Sequence, residues 1–369
     1  MPPISSLGGD VIIIGAGLSG LATAAALASR GADITLLAGR HAGEASRAAA
    51  GMLAPGMERA SGAAHTFALA ARDLYPSYVH ALAEITGVRV PLNRAGILEL
   101  IIDEAKADAR RQSVGQEPND DTQWIDQEQL RTTEPAAAPA AGAVLYPNDG
   151  SVDNVVLVRA LRELADASPA ITVVEDLAIS MDLTRERPSV CLPSGDCISA
   201  ATLILAAGAW SPLIPGLPRP IPIEPVRGQA IAVSAAPLQH VIYGPHGYVV
   251  PREHSLSVVG ATMEHVGFET GTTPEIARKL AAAGVEIAPA LSRARTLDHW
   301  CGFRPVTPDL LPIIGRDPEY PALIYACGHS RNGILLGPLT GECVAAIASA
   351  EKPTLDISPF SITRFGPPA

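Results

Sequence analysis

The amino-acid sequence predicts an α/β protein of two domains, one containing a parallel sheet and the other an α+β domain built on an antiparallel sheet. Three observations support this fold class. A strand, a glycine-rich turn, a helix and a second strand follow one another between Asp10 and Ala38. A strand followed by glycine and a helix returns at about residues 322–350, and short strands dominate residues 225–298. The 369 residues are enough to bury the cores of two domains.

The opening stretch carries the motif that characterises the first domain. Val11–Ile14 is an unbroken apolar run, as expected of a parallel strand that is covered on both faces. In the GxGxxG turn that follows, Gly15 allows a sharp bend, Gly17 lets backbone approach a pyrophosphate, and Gly20 lets helix and strand pack closely. The phosphates would lie at the helix N-terminus, where free N–H groups favour anions. The sequence therefore predicts a Rossmann-like dinucleotide site.

One position departs from this motif. A carboxylate that binds the ribose hydroxyls is expected about twenty residues after the turn, at the end of the second strand. Ala38 stands there instead, and Gly39 and Arg40 follow it. A missing acid beside an arginine is what an NADP site would show, so the motif alone leaves FAD and NADP open.

Composition and charge exclude several function classes. The net charge is −11 and Lys and Arg do not cluster, so binding to nucleic acid or to an anionic membrane is not expected. Val11–Ala28 is apolar, but three glycines and a serine interrupt it and no basic residue precedes it. We therefore expect neither a targeting segment nor a membrane span.

The cysteines predict a reducing compartment. Their number is odd, and they are scattered without a CxxC pair, at Cys191, Cys197, Cys301, Cys327 and Cys343. This pattern favours reduced thiols in a cytoplasmic protein and speaks against a zinc or other metal site.

Periodicity and glycine placement divide the rest of the chain. Gly43–Pro55 is rich in Ala and Gly and is predicted to wrap a cofactor as a loop, and Ala64–Ile85 is predicted as a long amphipathic helix with Gly87 as its C-cap. Further strands are expected near 96–102, 171–174, 189–192, 200–206, 229–233, 248–250, 256–260 and 322–327. The predicted domain limits are 1–89, 147–224 and 299–369 for the dinucleotide-binding domain, and 90–146 and 225–298 for the substrate-binding domain.

Three polar features stand out as candidate site residues. Arg304 lies in an apolar stretch, where it needs an anion, and its planar fork fits a carboxylate; a structural ion pair is the alternative. The segment His329–Gly333 combines polar donors with a helix start, which suits a phosphate or an electron-rich ring; an ordinary N-cap loop is the alternative. Tyr248 lies on a strand and would by itself be a core aromatic residue. No Ser/His/Asp set, metal-spaced His cluster or P-loop is found.

Six segments together resemble the glycine oxidase family, within the D-amino acid oxidase group of FAD-dependent amine oxidases. They are VIIIGAGLSG, GEASRAAAGMLAP, GYVVPRE with VVGATM, GFRPVTPDLLPIIG, and GHSRNGILLGP. The last two are far more specific than GxGxxG. The resemblance implies an FAD-binding Rossmann-like domain of the GR2 type, with FAD held non-covalently.

The resemblance also implies roles for individual residues. Arg304 would pair with a substrate carboxylate, Tyr248 would hydrogen-bond it, His246 would lie at the pocket mouth, and Arg331 would lie close to substrate. The residues implied to contact FAD are Gly15, Ala16, Gly17, Leu18, Ser19, Gly20, Ala38, Gly39, Ala45, Ser46, Ala50, Gly51, Met52, Ala178, Gly208, His329, Ser330, Arg331, Asn332, Gly333, Ile334 and Leu335.

The implied function is oxidative deamination of glycine and other small amines, such as sarcosine and small D-amino acids, with reduction of O₂ to H₂O₂. The glycine imine would supply the thiazole of thiamine, and a homo-oligomer is expected. Two alternatives remain at this point. One is a D-amino acid or sarcosine oxidase or dehydrogenase of the same group. The other is a non-catalytic subunit that binds FAD or NADP.

Overall fold

A computed structural model describes residues 10–58, 61–116, 121–234 and 238–366. The outer limits of the predicted domains, at residues 1 and 369, lie outside the described residues. The helices are α1 (Leu18–Ala28), α2 (Ala45–Ala48), α3 (Pro55–Glu58), α4 (Gly62–Thr86), α5 (Glu104–Ser113), α6 (Gln127–Thr133), α7 (Asn154–Ala167), α8 (Pro274–Ile287) and α9 (Gly333–Ala348).

The strands, in chain order, are β1 (Val11–Ile14), β2 (Ile34–Leu37), β3 (Met52–Leu53), β4 (Leu92–Asn93), β5 (Ile97–Ile101), β6 (Gln123–Asp126), β7 (Gly142–Tyr146), β8 (Gly150–Val152), β9 (Ile171–Val174), β10 (Ser180–Asp182), β11 (Ser189–Cys191), β12 (Cys197–Ser199), β13 (Thr202–Leu205), β14 (Glu224–Ser234), β15 (Val241–Gly244), β16 (Gly247–Arg252), β17 (Leu256–Gly260), β18 (Thr296–Val306), β19 (Ile313–Arg316) and β20 (Leu323–Cys327).

The first layer is a six-stranded sheet with the order β19-β20-β13-β1-β2-β9. Strand β1 lies between β13 and β2, is parallel to both and is buried along its whole length, as the apolar run Val11–Ile14 predicts. Strands β9 and β20 extend the parallel set on either side. Because parallel strands end at the same edge, the turns after β1, β2, β13 and β20 meet there.

Alternate residues of β1 pack into two different cores. Val11 and Ile13 face a cluster formed with helices α1, α4, α7 and α9. Ile12 and Ile14 face a cluster formed with the three-stranded sheet β10-β11-β12. Helices therefore cover one face of the parallel sheet and a small antiparallel sheet covers the other.

The second layer is an eight-stranded sheet with the order β18-β14-β17-β16-β15-β5-β7-β6. It is antiparallel, as predicted, except where β5 pairs with β15 in parallel. These two strands are far apart in the chain and no hairpin joins them, so nothing forces them to run in opposite directions. The domain limit expected at residue 299 falls inside β18, which pairs with β14 from Glu224↔Val306 to Val233↔Thr296.

The prediction that all cysteines are reduced is wrong for one pair. Cys191 and Cys197 form a disulfide, with Cα atoms 4.0 Å apart. Strands β11 and β12 make a hairpin whose register places the two cysteines directly opposite each other. Their spacing of six residues has no motif signature, so only the hairpin register reveals the pair. Cys301, Cys327 and Cys343 are free thiols, as predicted.

Two local predictions can be compared with the backbone. Helix α4 ends at Gly87, which takes the left-handed conformation at φ 71° and donates its N–H to Ala83 as a C-cap. The predicted loop from Gly43 to Pro55 is interrupted by the single turn α2, whose side chains are all at least partly exposed. The glycine-cap prediction is confirmed, and the loop is more ordered than its composition indicates.

Candidate active site

A cavity of about 520 Å³ lies between the two layers, at the edge where the parallel strands end. Its lining comes from the turn after β1, the α2 segment, the residues after β13, the strands β14 to β16 of the second sheet, and the start of α9. Residues from widely separated parts of the chain thus converge on one space.

Most of the predicted site residues line this cavity. Those that do so are Gly15, Ala16, Gly17, Leu18, Ser19, Gly39, Ala45, Ser46, Ala50, Gly51, Met52, Ala178, Gly208, His246, Tyr248, Arg304, His329, Ser330, Arg331, Asn332, Gly333 and Ile334. The structure therefore brings together the motifs that the sequence analysis selected.

Three predicted residues do not line the cavity. A Cβ on Gly20 would collide with the carbonyl oxygen of Gly15, so this glycine serves the packing of α1 on the turn. Ala38 is buried after β2 and donates its N–H to Val174. Leu335 is buried in the core shared by α1 and α9. Their roles are thus in the scaffold around the cavity rather than on its surface.

The turn after β1 leaves space where the sequence analysis expects a pyrophosphate. Gly17 has φ −71° and ψ −178°, a conformation that any residue adopts. A Cβ added to it would approach only Ser46 Oγ, at 3.3 Å. Ser46 Oγ also accepts a hydrogen bond from Leu18 N, at 2.9 Å, at the start of α1. The protein itself does not require glycine here, so the open space is available to a ligand.

Two carboxylates that the sequence analysis missed line the neighbouring part of the cavity. Asp176 follows β9, the neighbour of β2 in the sheet, and a Cβ on Gly39 would lie 2.6 Å from the Asp176 carbonyl oxygen. Glu44 accepts a hydrogen bond from His41 N at 3.2 Å. The available signal for Asp176 was its place two residues after a predicted strand. Both acids lie on the cavity although Ala38 does not.

An aromatic cluster closes this side of the cavity. His41 stacks on Trp210 with ring centroids 4.5 Å apart. Phe268 also stacks on Trp210, with ring centroids 5.2 Å apart. Phe303 of β18 meets both Trp210 and Phe268 edge-on. Burial lowers the pKa of His41, against the opposing charge of Glu44, so its ring is favoured as a neutral stacking partner.

Arg304 occupies the part of the cavity beside the second sheet. A Cβ on Gly228, across the β14–β18 pair, would lie 2.6 Å from the Arg304 Cζ, so this glycine makes room for the guanidinium. Arg304 Nη1 donates to the Thr262 carbonyl at 3.0 Å. Among the described residues, no carboxylate forms an ion pair with Arg304. The described residues therefore give no support to the alternative that Arg304 forms a structural ion pair.

The neighbouring Arg227 shows the opposite arrangement. It lies on β14, forms an ion pair with Glu264 at 2.7 Å and also donates to the Glu269 carbonyl. Arg227 is thus a buried arginine whose charge the protein itself satisfies. Arg304, on the adjacent strand, keeps donors for a ligand.

Two tyrosines lie with Arg304. Burial raises the pKa of Tyr248, although the nearby Arg304, Arg331 and Arg252 guanidiniums oppose the shift. Burial likewise raises the pKa of Tyr243, whose ring lies 5.4 Å from that of Tyr248. Both phenols therefore remain protonated at neutral pH and can donate a hydrogen bond.

The remaining polar residues lie around this group. Arg331 pairs with Glu58 at 2.6 Å, and Glu58 is another residue that the sequence analysis missed. His246 is exposed at the mouth of the cavity and its Nδ1 lies 2.7 Å from Glu286. His329 is buried, with Nε2 3.0 Å from Thr340 Oγ1, and burial lowers its pKa to about 4.

No described helix is long and apolar enough to cross a membrane. Within the same residues, no three His, Cys, Asp or Glu side chains are grouped as a metal site would require.

A model of the family described as FAD dependent oxidoreductase matches residues 10–347. The chain belongs to this family. A bifunctional protein ThiO/ThiG of Synechocystis sp. is 35% identical over 96% of this chain, which spans only 54% of that protein's length. A glycine oxidase of Geobacillus kaustophilus is 32% identical, with 96% of this chain and 97% of the relative covered. The crystal structure of glycine oxidase from Geobacillus kaustophilus has a TM-score of 0.89 at 30% identity, covering 97% and 99% of the two chains.

Membership of the family decides between the two cofactors that the motif left open. FAD is the cofactor, and the predicted resemblance and fold class are confirmed. The residues present fit the group. The open space at Gly17 and the N-terminal end of the α1 dipole suit a pyrophosphate, and the cavity continues from there to the start of α9.

Replacing Gly17 with Val should remove FAD binding without loss of folding. The backbone conformation accepts a side chain, whereas the new methyl groups would occupy the space of the pyrophosphate. We expect FAD affinity to fall by at least about tenfold, or about 1.4 kcal/mol. Flavin content per chain and the melting temperature of the flavin-free protein are the measurements. The control is Gly20→Ala, which should lower that melting temperature because its Cβ meets the Gly15 carbonyl. Full flavin content in Gly17→Val would contradict the assignment.

His329 should make the flavin-free protein lose stability as the pH falls. Its pKa is about 4 when folded and 6.5 as the reference value, so its contribution is complete above about pH 6.5 and declines toward pH 4. Between pH 7 and pH 5 the loss should be about 2 kcal/mol in the free energy of unfolding. Urea unfolding of wild type and His329→Gln at both pH values gives the difference. Equal pH dependence in the two proteins would show that His329 does not titrate in this way.

Proposed function

We propose that the protein catalyses FAD-dependent oxidation of glycine and other small amines, including sarcosine and small D-amino acids. The products would be the imine, or the 2-oxo acid after hydrolysis, and H₂O₂. The observation that carries the proposal is the Arg304 guanidinium, which has no carboxylate partner among the described residues and lies in the cavity that also holds the dinucleotide motif. Relatives named glycine oxidase support the same substrate class.

Arg304 and Tyr248 would bind the substrate carboxylate. A guanidinium can make two parallel hydrogen bonds to a carboxylate, and the protonated phenol of Tyr248 adds a third donor. Gly228 and the Thr262 carbonyl hold the guanidinium in one position. Fixing the carboxylate orients the α-carbon, and positioning of this kind can contribute up to roughly 7–11 kcal/mol. FAD, when bound, supplies the acceptor for the hydride from the α-carbon.

Three histidines line the cavity, and each is engaged by the protein itself. His329 has a pKa of about 4 and is engaged with Thr340, His246 is exposed and engaged with Glu286, and His41 is stacked on Trp210. A substrate whose amine enters neutral needs no general base. The chain's contribution is therefore to bind the carboxylate, orient the amine and exclude water.

FAD would be held along the remainder of the cavity. The pyrophosphate would lie at the start of α1 beside Gly17 and Ser46, and the segment from Ala45 to Met52 would wrap the cofactor. Asp176 would supply a carboxylate to the ribose hydroxyls in place of the acid that is absent at Ala38, because it follows the neighbouring strand of the same sheet and lines the cavity. The segment from His329 to Ile334 would meet the isoalloxazine edge.

The wider biological role is part of the same proposal. The protein would supply glycine imine for the thiazole of thiamine, as its resemblance to glycine oxidase implies, and one relative bears the name ThiO/ThiG. We also propose that the dinucleotide-binding and substrate-binding domains divide as the sequence predicts, apart from β18, and that the protein is a cytoplasmic homo-oligomer.

Arg304→Ala should raise KM for glycine by about ten- to a hundredfold while leaving the protein folded and yellow. Loss of a charge-assisted pair costs about 1.5–3 kcal/mol. Anaerobic reduction of the flavin, followed by its visible absorbance, is compared for glycine and for an amine without a carboxylate, which should be affected little. The contrasting variant is Arg227→Ala, which should destabilise the fold by leaving the partly buried Glu264 without its cationic partner. Equal losses on both amines would argue against carboxylate binding by Arg304. Absence of reduction by glycine, sarcosine and D-alanine in the wild type would refute the proposed function.

A further inference from the structure

The substrate end of the cavity contains a second arginine whose charge is already neutralised. Arg331 lies two residues before α9 and its Nη2 is 2.6 Å from Glu58 Oε1. The Arg331 side chain is 48% exposed and that of Glu58 only 17%, so the acid is the more enclosed member of the pair. Both residues line the cavity.

Arg331 and Arg304 lie in adjoining segments and both act on Tyr248. Ser330, next to Arg331, donates its N–H to the carbonyl of Pro305, next to Arg304, at 3.0 Å. Both guanidiniums act to lower the pKa of Tyr248, against the larger effect of its burial. Any small ligand bound at Arg304 therefore lies within range of Arg331.

Arg304, Arg331 and Glu58 together carry one net positive charge. Arg304 has no ion-pair partner in the described parts of the chain, whereas Glu58 offsets Arg331. His246, at the mouth, faces Glu286. The arrangement suits a ligand with one carboxylate. A second carboxylate on the ligand would have to compete with Glu58 for Arg331, and the negative charge of Glu58 would repel it.

The short helix that carries Glu58 is anchored to the buried Asp149. Glu58 ends this helix, α3, whose Gly56 and Met57 N–H groups donate to the carboxylate of Asp149 at 3.3 and 3.0 Å. Asp149 is buried and paired with Arg72 at 3.3 Å. The backbone that carries Glu58 is therefore fixed by a buried carboxylate, and the Glu58 side chain itself is largely enclosed and paired with Arg331.

We propose that Glu58 is a specificity-determining residue that restricts the cavity to amines with a single carboxylate. By neutralising Arg331, it prevents this arginine from acting as a second anion-binding group. Without the Glu58 charge, Arg331 becomes available and the cavity accepts dicarboxylic amines. This inference rests on the proposed function, because it assigns the substrate class of the same site.

The test compares sarcosine with iminodiacetate, which differs from it by one carboxylate on the second carbon attached to nitrogen. The neutral amide N-(carbamoylmethyl)glycine has nearly the size of iminodiacetate and controls for added space. Anaerobic flavin reduction is measured for flavin-loaded wild type, Glu58→Gln and Glu58→Asp. For each amine, the second-order rate constant of flavin reduction is determined. The ratio of this rate constant for iminodiacetate to that for sarcosine should be at least about tenfold higher in Glu58→Gln than in wild type. Glu58→Asp keeps the charge and should show no comparable rise, and neither should the amide.

Anaerobic calorimetric titration of iminodiacetate into protein whose flavin has already been reduced gives a readout that does not depend on turnover, because the reduced flavin cannot accept a hydride. We expect iminodiacetate to bind at least about tenfold more tightly to Glu58→Gln than to wild type. The double variant Glu58→Gln/Arg331→Gln should lose this gain in affinity. An unchanged ratio and affinity in Glu58→Gln, or an equal gain for the amide, would overturn the inference. If no amine reduces the flavin in wild type, the proposed function fails, whereas the titration still reports whether Glu58 controls binding of the second carboxylate.

Discussion

The pairing of β14 with β18 is the constraint on which the geometry of the site depends. Its register places Arg304 opposite Val226, one residue along from the ion-paired Arg227. On the other side, Phe303 donates its N–H to the Gly43 carbonyl at 2.8 Å, which ties β18 to the segment that precedes α2. One strand thus carries the carboxylate-binding side chain and contacts the loop expected to wrap FAD. The separation between the two halves of the cavity is therefore set by backbone hydrogen bonds.

Charge placement within this framework separates structural from ligand-binding arginines. The protein satisfies Arg227 with Glu264 and Arg331 with Glu58, but it satisfies Arg304 only with the Thr262 carbonyl and the neighbouring Tyr248. A carbonyl orients a guanidinium without neutralising it. An arginine that is oriented but not neutralised inside a cavity is suited to bind an anion. This difference in partners, more than burial, distinguishes Arg304 from Arg227 and Arg331.

Sequence patterns predicted the features that depend on local chemistry. The apolar run Val11–Ile14, the glycines that follow it and the C-cap at Gly87 have local causes, and β9 and β17 were predicted to the residue because β-branched runs with clear ends define them. Features set by the register of paired strands, or by contacts between distant parts of the chain, were not predictable. The Cys191–Cys197 pair needed the hairpin alignment. Glu58 could not be linked to Arg331 across 273 residues, and Asp176 reaches the cavity only through the pairing of β9 with β2.

The central claim is that Arg304 offers an uncompensated positive charge to a carboxylate. Its most direct test is calorimetric titration of the flavin-loaded protein with glycolate and with glycolamide, which have nearly the same shape but differ in charge. We predict that glycolate binds at least about tenfold more tightly, a difference of about 1.4 kcal/mol or more. Equal affinity for the two ligands would contradict the account.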